Sequence, residues 1–288
     1  MEIAVISGKG GTGKSSITAA FASLNGQVVV ADCDVDAANL YLLFNPEHEE
    51  EQIFTGSHKA VIDQSLCTMC GKCIDLCRFD AIHLKEGNME ISEISCDGCF
   101  LCSRICPANA IEMIRNDKSR MYSGSFRYGK MVYGILAPGE ENSGKLVNLI
   151  RDKARKTARE HSIPSIILDG PPGIGCPVIS TITGVSQVLV ITEPTMSGLH
   201  DMERALEVVN MFELKVNVII NKCDINLEVT GRIEAYCNKN GIPVTGKLPF
   251  EPEVTKAMVH GKSIIEWNED LYISRELIKI WNNLIKKT

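Results

Sequence analysis

One octapeptide limits the folds open to this chain more than any other feature. Gly8-Lys9-Gly10-Gly11-Thr12-Gly13-Lys14-Ser15 completes the pattern G-x-x-x-x-G-K-[ST], between a short apolar run, Glu2–Ser7, and a helical pattern that begins near Lys14. The pattern works only in that setting, because a buried strand must deliver the loop and a helix must leave it. Glycines let successive backbone N–H groups converge on phosphate oxygens, and the helix N-terminus adds positive potential. Lys14 is then placed for the β- and γ-phosphates and the Ser15 hydroxyl for Mg²⁺, with the nucleotide-binding segment running from Gly8 through Ser16.

The rest of the chain has the rhythm of an α/β domain. Asn25 and Gly26, which tolerate left-handed backbone, close the first helix, and Val28–Asp32 follows as a second buried strand. Its unbroken apolar character predicts a parallel sheet covered on both faces. Further strand-like runs fall near 131–136, 165–169, 187–192, 216–220 and 244–248, separated by helical patterns near 144–161, 198–211 and 226–239. A last amphipathic helix over 270–286 places Ile273, Leu277, Ile280, Trp281 and Leu284 on one face. The expectation is an α/β fold with a doubly wound, mostly parallel sheet.

Cysteine interrupts this rhythm. Of 12 cysteines, 8 lie between Cys67 and Cys106, in two runs 29 residues apart: Cys67, Cys70, Cys73, Cys77 and Cys96, Cys99, Cys102, Cys106. Polar stretches at 47–51 and 116–130 flank the repeat, so it reads as a small inserted module over 57–116, within an α/β domain made of 1–56 and 117–288. Disulfide frameworks belong to small secreted chains, and zinc sites tend to use two separated C-x₂-C pairs. Both runs here are C-x₂-C-x₂-C-x₃-C, which is the pattern of bacterial two-cluster ferredoxins, where the fourth cysteine serves the other cluster. On that pattern the insert is a small α+β ferredoxin-like domain with two [4Fe–4S] clusters. Cluster I uses Cys67, Cys70, Cys73 and Cys106, and cluster II uses Cys77, Cys96, Cys99 and Cys102. Pro107 follows the last cysteine as the pattern has it, but Arg78 stands where proline would follow Cys77.

Lys9, with the glycines and Lys14-Ser15, makes the loop resemble the deviant Walker A of the MinD/ParA family of P-loop ATPases, which includes the nitrogenase iron protein and iron–sulfur carrier ATPases. The resemblance implies ATP and Mg²⁺ as ligands. It also implies a dimer around ATP, with an identical subunit or a paralogue, in which Lys9 reaches the partner's phosphates. Residues 32–40 are similar to the family's first switch, so Asp34 is expected to orient the attacking water and assist Mg²⁺, with Asp36 capping a turn or facing solvent. The apolar run ending in Asp169, before Gly170-Pro171-Pro172-Gly173, resembles a Walker B with its second switch, so Asp169 is expected to hold Mg²⁺. Lys9, Lys14, Asp34 and Asp169 form the implied catalytic set. Asn221 matches the family's base-contacting asparagine, and Pro249 and Glu251 its second adenine-side segment. Asn221-Lys222-Cys223-Asp224 also spells N-K-x-D, the guanine-reading motif of related GTPases.

Other features have two readings. Cys176, seven residues after Asp169, stands where the nitrogenase iron protein carries a cluster ligand, yet residues 136–144 offer no second cysteine; it is a bridging ligand or a small buried or reactive thiol. Cys33, Cys223 and Cys237 read as small buried apolar groups. The basic run Lys145, Arg151, Lys153, Arg155, Lys156 and Arg159 reads as a solvated helix face or a docking site for an acidic redox partner or DNA. Trp281, Lys286 and Lys287 resemble a membrane-binding tail, though the helix face suits packing on the sheet.

The chain has 288 residues, 44% of them hydrophobic, enough for a large core. Its net charge of −6 argues against a protein that coats nucleic acid, and no apolar run is long enough to cross a membrane. The start shows no secretory leader, so a cytoplasmic protein is expected. The leading expectation is an ATP-hydrolysing iron–sulfur protein that couples nucleotide state to electron transfer with a separate redox partner protein. The alternatives are a cluster scaffold or carrier and a positioning ATPase.

Overall fold

The computed structural model describes residues 1–286, which leaves Lys287 outside the described residues. In chain order the main domain begins with β1 (Glu2–Ser7), α1 (Lys14–Ser23), β2 (Val28–Asp32), α2 (Leu40–Phe44) and β3 (Glu47–Phe54). The insert follows as β4 (His58–Ile62), α3 (Lys72–Asp75), β5 (Ile82–Lys85), β6 (Asn88–Ile91), α4 (Leu101–Ile105) and β7 (Ile111–Arg115). The main domain resumes with β8 (Ser119–Phe126), β9 (Gly129–Ile135), α5 (Ser143–Glu160), β10 (Ile166–Pro172), α6 (Cys176–Ile182), β11 (Gln187–Thr192) and α7 (Met196–Met211). It closes with β12 (Val216–Asn221), α8 (Leu227–Lys239), β13 (Val244–Leu248), α9 (Pro252–Val259), α10 (Ile264–Trp267) and α11 (Tyr272–Lys286).

Nine strands form one sheet in the order β13-β12-β11-β1-β10-β2-β9-β8-β3. The run from β13 to β9 is parallel, and β8 and β3 complete the far edge antiparallel. The apolar strands are buried on both faces because successive side chains alternate. Ala4, Ile6, Val29 and Ala31 pack on one side with Leu146, Ile150, Met202, Leu206 and Ile233 from α5, α7 and α8. Ile3, Val5, Val28 and Val30 pack on the other with Ile17 and Phe21 of α1 and with α11. The expected face of α11 is the buried one: Ile273, Leu277, Ile280, Trp281 and Leu284 all sit in this core, and the Trp281 ring lies 5.0 Å from that of Phe21.

Two polar stretches are strands, contrary to expectation. Residues 47–51 lie in β3, whose side chains are exposed up to Ile53, and 116–130 includes β8 and the start of β9. An antiparallel edge strand takes its backbone bonds from one neighbour and needs no apolar run, so hydropathy alone hides it. This pair also explains how the insert is carried. Phe54 at the end of β3 faces Ser119 at the start of β8, so the chain leaves and re-enters the sheet at one point. The entry and exit stay together as β4 and β7, with His58 opposite Arg115.

A smaller departure is at α1, whose end uses no left-handed residue. The Asn25 side-chain amide donates to the Phe21 carbonyl at 2.7 Å and caps it instead.

Candidate functional site

The phosphate loop hangs from the C-terminal end of β1, in the centre of the sheet, and enters α1 at Lys14. Its glycines are there for different reasons. A Cβ on Gly8 would lie 2.2 Å from the Asp201 carbonyl oxygen of α7, so only glycine lets the loop lean on that helix. Gly13 has φ +93°, and a Cβ there would meet the Asn221 side-chain amide at 2.4 Å. The Lys14 side chain is buried, and the Thr12 hydroxyl is buried with no hydrogen-bond partner. A buried, unpartnered hydroxyl in a loop of converging N–H groups fits a loop that takes a polyphosphate.

Two carboxylates lie side by side beneath it. Asp169 on β10 and Asp32 on β2 face each other across the parallel ladder. Asp169 accepts from the Ser15 hydroxyl at 2.6 Å and the Thr18 hydroxyl at 2.8 Å. Burial pushes its carboxyl up to about 6, against the hydroxyl of Ser15 and the charge of Lys14. A buried carboxylate beside a serine hydroxyl, short of compensating positive charge, suits a divalent cation such as Mg²⁺.

Asp32 organises the site in a way that its place in the sequence did not reveal. It accepts the N–H groups of Asp34, Asn39 and Leu40, each at 3.1 Å, and so folds the segment after β2 around itself. Burial and the neighbouring Asp169 push its carboxyl well up, and the three N–H groups oppose them. The signal was an acidic residue inside a buried strand. Asp34 is half-buried, raised by burial and by Asp36 against the pull of Lys14, while Asp36 is exposed.

Lys9 does not extend into solvent in the single chain. Its amino group lies 2.7 Å from Glu193 and also reaches the hydroxyls of Thr195 and Ser197. The other oxygen of Glu193 takes Lys222 at 2.9 Å, and Lys222 also reaches the Gly11 carbonyl. Glu193 is a residue that no motif marked.

Beside the loop lies a cavity of about 250 Å³, whose lining includes Gly13, Ser16, Asn221, Pro249, Phe250 and Glu251. The Asn221 amide donates to the Thr12 carbonyl at 2.8 Å, and Glu251 caps α9 by accepting from the Glu253 N–H. Asp224, the last residue of the N-K-x-D stretch, is occupied elsewhere: it accepts the Phe250 N–H at 2.7 Å and does not line the cavity.

In the insert, the thiols ring two cavities. Cys67, Cys70, Cys73 and Cys106 line one; Cys77, Cys96, Cys99 and Cys102 line the other, which Cys73 also borders. Among the described residues no three such groups converge as a single metal ion would need. The loops repeat in conformation as well as sequence. Left-handed residues recur 29 positions apart at Met69 and Gly98, at Gly71 and Phe100, and at Asp80 and Asn109. A left-handed Met or Phe costs of the order of 1 kcal/mol. The polypeptide core of the insert is only Ala60, Ala81, Cys96 and Ile111, flanked by the other thiols and a few apolar side chains. So small a core does not hold a module of this size by itself, and bound clusters would complete it. The donor set therefore fits iron–sulfur clusters.

The expectations for Cys176, Cys223 and the basic run change. Cys176 is exposed at the start of α6, so it is not a buried thiol. Cys33 and Cys237 are buried, but Cys223 is only half-buried. The basic run on α5 is not simply solvated. Arg151 is buried and binds Glu2 at 2.8 Å and the carbonyls of Ser180 and Thr183, and Arg155 binds Glu2 at 2.8 Å. Arginine ends the helix-to-sheet seam here, and an i, i+4 charge pattern does not distinguish that from a wet face.

A phosphate loop on a central parallel strand, with a buried carboxylate on its neighbour, defines a P-loop nucleoside triphosphatase. Residues 3–264 match the CobQ/CobB/MinD/ParA nucleotide binding domain, and the chain belongs to that family of P-loop ATPases. An uncharacterized protein of Methanocaldococcus jannaschii is 40% identical over 231 residues, 78% of this chain and 79% of its own. An iron–sulfur cluster carrier protein of Pyrococcus horikoshii is 21% identical over 99% of this chain and 86% of its own. A ferredoxin of Pyrobaculum islandicum is 30% identical over 97 residues, 28% of this chain and 91% of that ferredoxin. The Pyrococcus furiosus cell division ATPase MinD shares the fold, with a TM-score of 0.60 at 16% identity, covering 100% of this chain and 99% of the other. The chain is thus a MinD/ParA-type ATPase with a ferredoxin-like insert. No described helix is long and apolar enough to cross a membrane.

Proposed function

We propose that this protein couples ATP binding and hydrolysis to electron transfer through two [4Fe–4S] clusters, held by the insert over about 57–116. The observation that carries the reading is the sorting of the eight thiols around two cavities, in the sets Cys67, Cys70, Cys73, Cys106 and Cys77, Cys96, Cys99, Cys102. Backbone N–H groups already point at the fourth thiol of each run, Ala81 at Cys77 and Ala110 at Cys106, at 3.4 and 3.3 Å. Bound clusters supply one-electron chemistry, and N–H groups on their sulfurs tune the potential.

On the ATPase side, Gly8 through Ser16 cradle the phosphates, and Lys14 neutralises charge that develops as the γ-phosphoryl departs. Ser15 and Asp169, with Asp34, would hold Mg²⁺. Asp34 orients the water for in-line attack. In a dimer Lys9 leaves Glu193 and reaches the partner's phosphates. Asn221, Pro249 and Glu251 border the base. The insert lies in the chain between the two switch segments, 32–40 and 169–176, so a nucleotide-driven movement of either can reach it.

The test is an anaerobic EPR redox titration of the whole protein without nucleotide, with MgADP and with a non-hydrolysable MgATP analogue. Two [4Fe–4S] signals whose midpoints or spin coupling move with nucleotide support the reading; signals that ignore nucleotide reject it. One observation favours a second reading, a cluster carrier: Cys176 is an exposed thiol beside the second switch. Transfer of a cluster to an apo-protein acceptor, abolished by Cys176→Ser, would establish it.

A further inference from the structure

Residues 136–142 touch both halves of this machine. At one end, the Leu136 N–H donates to the Val35 carbonyl at 3.0 Å, within the segment that carries Asp34. In the middle, the Gly139 carbonyl accepts from the Lys59 amino group at 2.6 Å, and that amino group also donates to the Cys96 carbonyl at 2.6 Å. Lys59 belongs to β4 of the insert and is only 4% exposed. At the far end, the Asn142 amide donates to the Gly56 carbonyl at 2.8 Å, where the chain enters the insert.

The contact is close-built. Gly139 has φ +71°, and a Cβ there would lie 2.5 Å from the Ile94 carbonyl oxygen, so only glycine admits it. The Ser57 hydroxyl and both carboxylate oxygens of Glu140 are buried without partners at the same junction. Buried polar atoms without partners leave the hydrogen bonding of this junction incomplete in the single chain. Among the described residues no hydrogen bond joins Cys67, Cys70, Cys73 or Cys106 to residues 136–142.

We propose that Lys59 is a positioning residue that makes the Cys96 loop follow residues 136–142, and through them the segment of Val35 and Asp34. The inference rests on reading Cys96 as a cluster II ligand. A buried amino group held by two carbonyls is a stiff tie, since loosening either bond leaves a donor unpaired. Main-chain movement at Cys96 changes the orientation of a ligand and the N–H groups around it, which are levers on a cluster's potential. Cluster II therefore follows the nucleotide.

The test uses the whole cluster-loaded protein and Lys59→Met, which keeps the apolar stem and removes both bonds. In the wild type, the cluster II midpoint shifts between MgADP and the MgATP analogue. In Lys59→Met that shift is lost, while both clusters and the ATPase rate are retained; a shift of unchanged size overturns the proposal. Hydrogen exchange read by mass spectrometry separates this from the electron-transfer reading. In the wild type the analogue changes exchange at both 94–99 and 136–142, and in Lys59→Met at 136–142 alone. If potentials ignore nucleotide but exchange behaves this way, the electron-transfer reading falls and the tie stands. If 94–99 ignores nucleotide in the wild type, the tie is overturned. Should Lys59→Met lose iron, Lys59→Gln, whose amide nitrogen sits one bond nearer the main chain and falls short of spanning both carbonyls, is read in the same way, and the wild-type exchange needs no variant.

Discussion

The amino group of Lys9 lies 2.7 Å from a carboxylate oxygen of Glu193, in its own chain. The other oxygen of that carboxylate holds Lys222, so one acid restrains two cations at the rim of the phosphate loop. Burial alone would raise Glu193, but hydrogen bonds from Lys9 and Lys222 hold it below the ordinary carboxylate range. In the dimer proposed above, Lys9 has first to leave this contact.

Glu193→Gln is expected to free Lys9. A partly exposed ion pair is worth about 0.2–1 kcal/mol, so ATP-analogue-driven self-association should tighten by roughly 1.4- to fivefold for each lysine freed. Sedimentation velocity across a concentration series reads this directly. Self-association that is unchanged, or weakened, would mean that the pair does not oppose the dimer.

Asp169 gives the nucleotide-free protein a pH dependence. Its folded value, about 6, lies above the ordinary 3.8, so the folded state holds the proton more tightly than the unfolded chain does. The contribution is full below the unfolded value and is lost as pH rises through about 6. Asp169→Asn should therefore make the nucleotide-free protein more stable above that pH, by roughly 2–3 kcal/mol, in urea unfolding. The same change should slow Mg²⁺-dependent hydrolysis by about 100-fold or more. In the wild type, apparent Mg²⁺ affinity should fall about tenfold per pH unit below the Asp169 value, since the cation competes with that proton.

The anchoring of Asp224 by the Phe250 N–H predicts a preference for adenine. ADP should bind at least about tenfold more tightly than GDP, a difference of about 1.4 kcal/mol, measured by calorimetry. Equal affinities would show that Asp224 turns into the cavity when a guanine is offered.

Removing iron should undo the insert and spare the sheet. Anaerobic chelation is expected to abolish hydrogen-exchange protection over 58–115 and leave β1, β10 and β11 protected, because the insert has so little core of its own. Cys106→Ser and Cys102→Ser should each lose about four of eight irons, and each should erase a different EPR signal. Loss of the same signal in both variants would refute the division into two sets.

Whatever depends on neighbours along the chain can be read from the order of residues. The phosphate loop is contiguous, the central strands are continuous apolar runs, and the cysteine runs repeat with their spacing intact, so the P-loop domain, its inserted module and the candidate ligand types were legible. The face of α11 was legible for the same reason, since a helix repeats every few residues. Tertiary structure alone decided what depends on residues far apart. β3 and β8 carry no apolar signature because an edge strand is defined by the partner it meets. Asn221 reaches Thr12 across 209 positions, Lys9 reaches Thr195 across 186, and Lys59 reaches Gly139 across 80. Glu193 and Lys59 have no motif, because a buried charge acquires its role from whichever distant groups the fold brings within hydrogen-bond distance. Local patterns fix which chemistry a chain carries, and the meeting of its distant segments fixes which residues hold that chemistry in place.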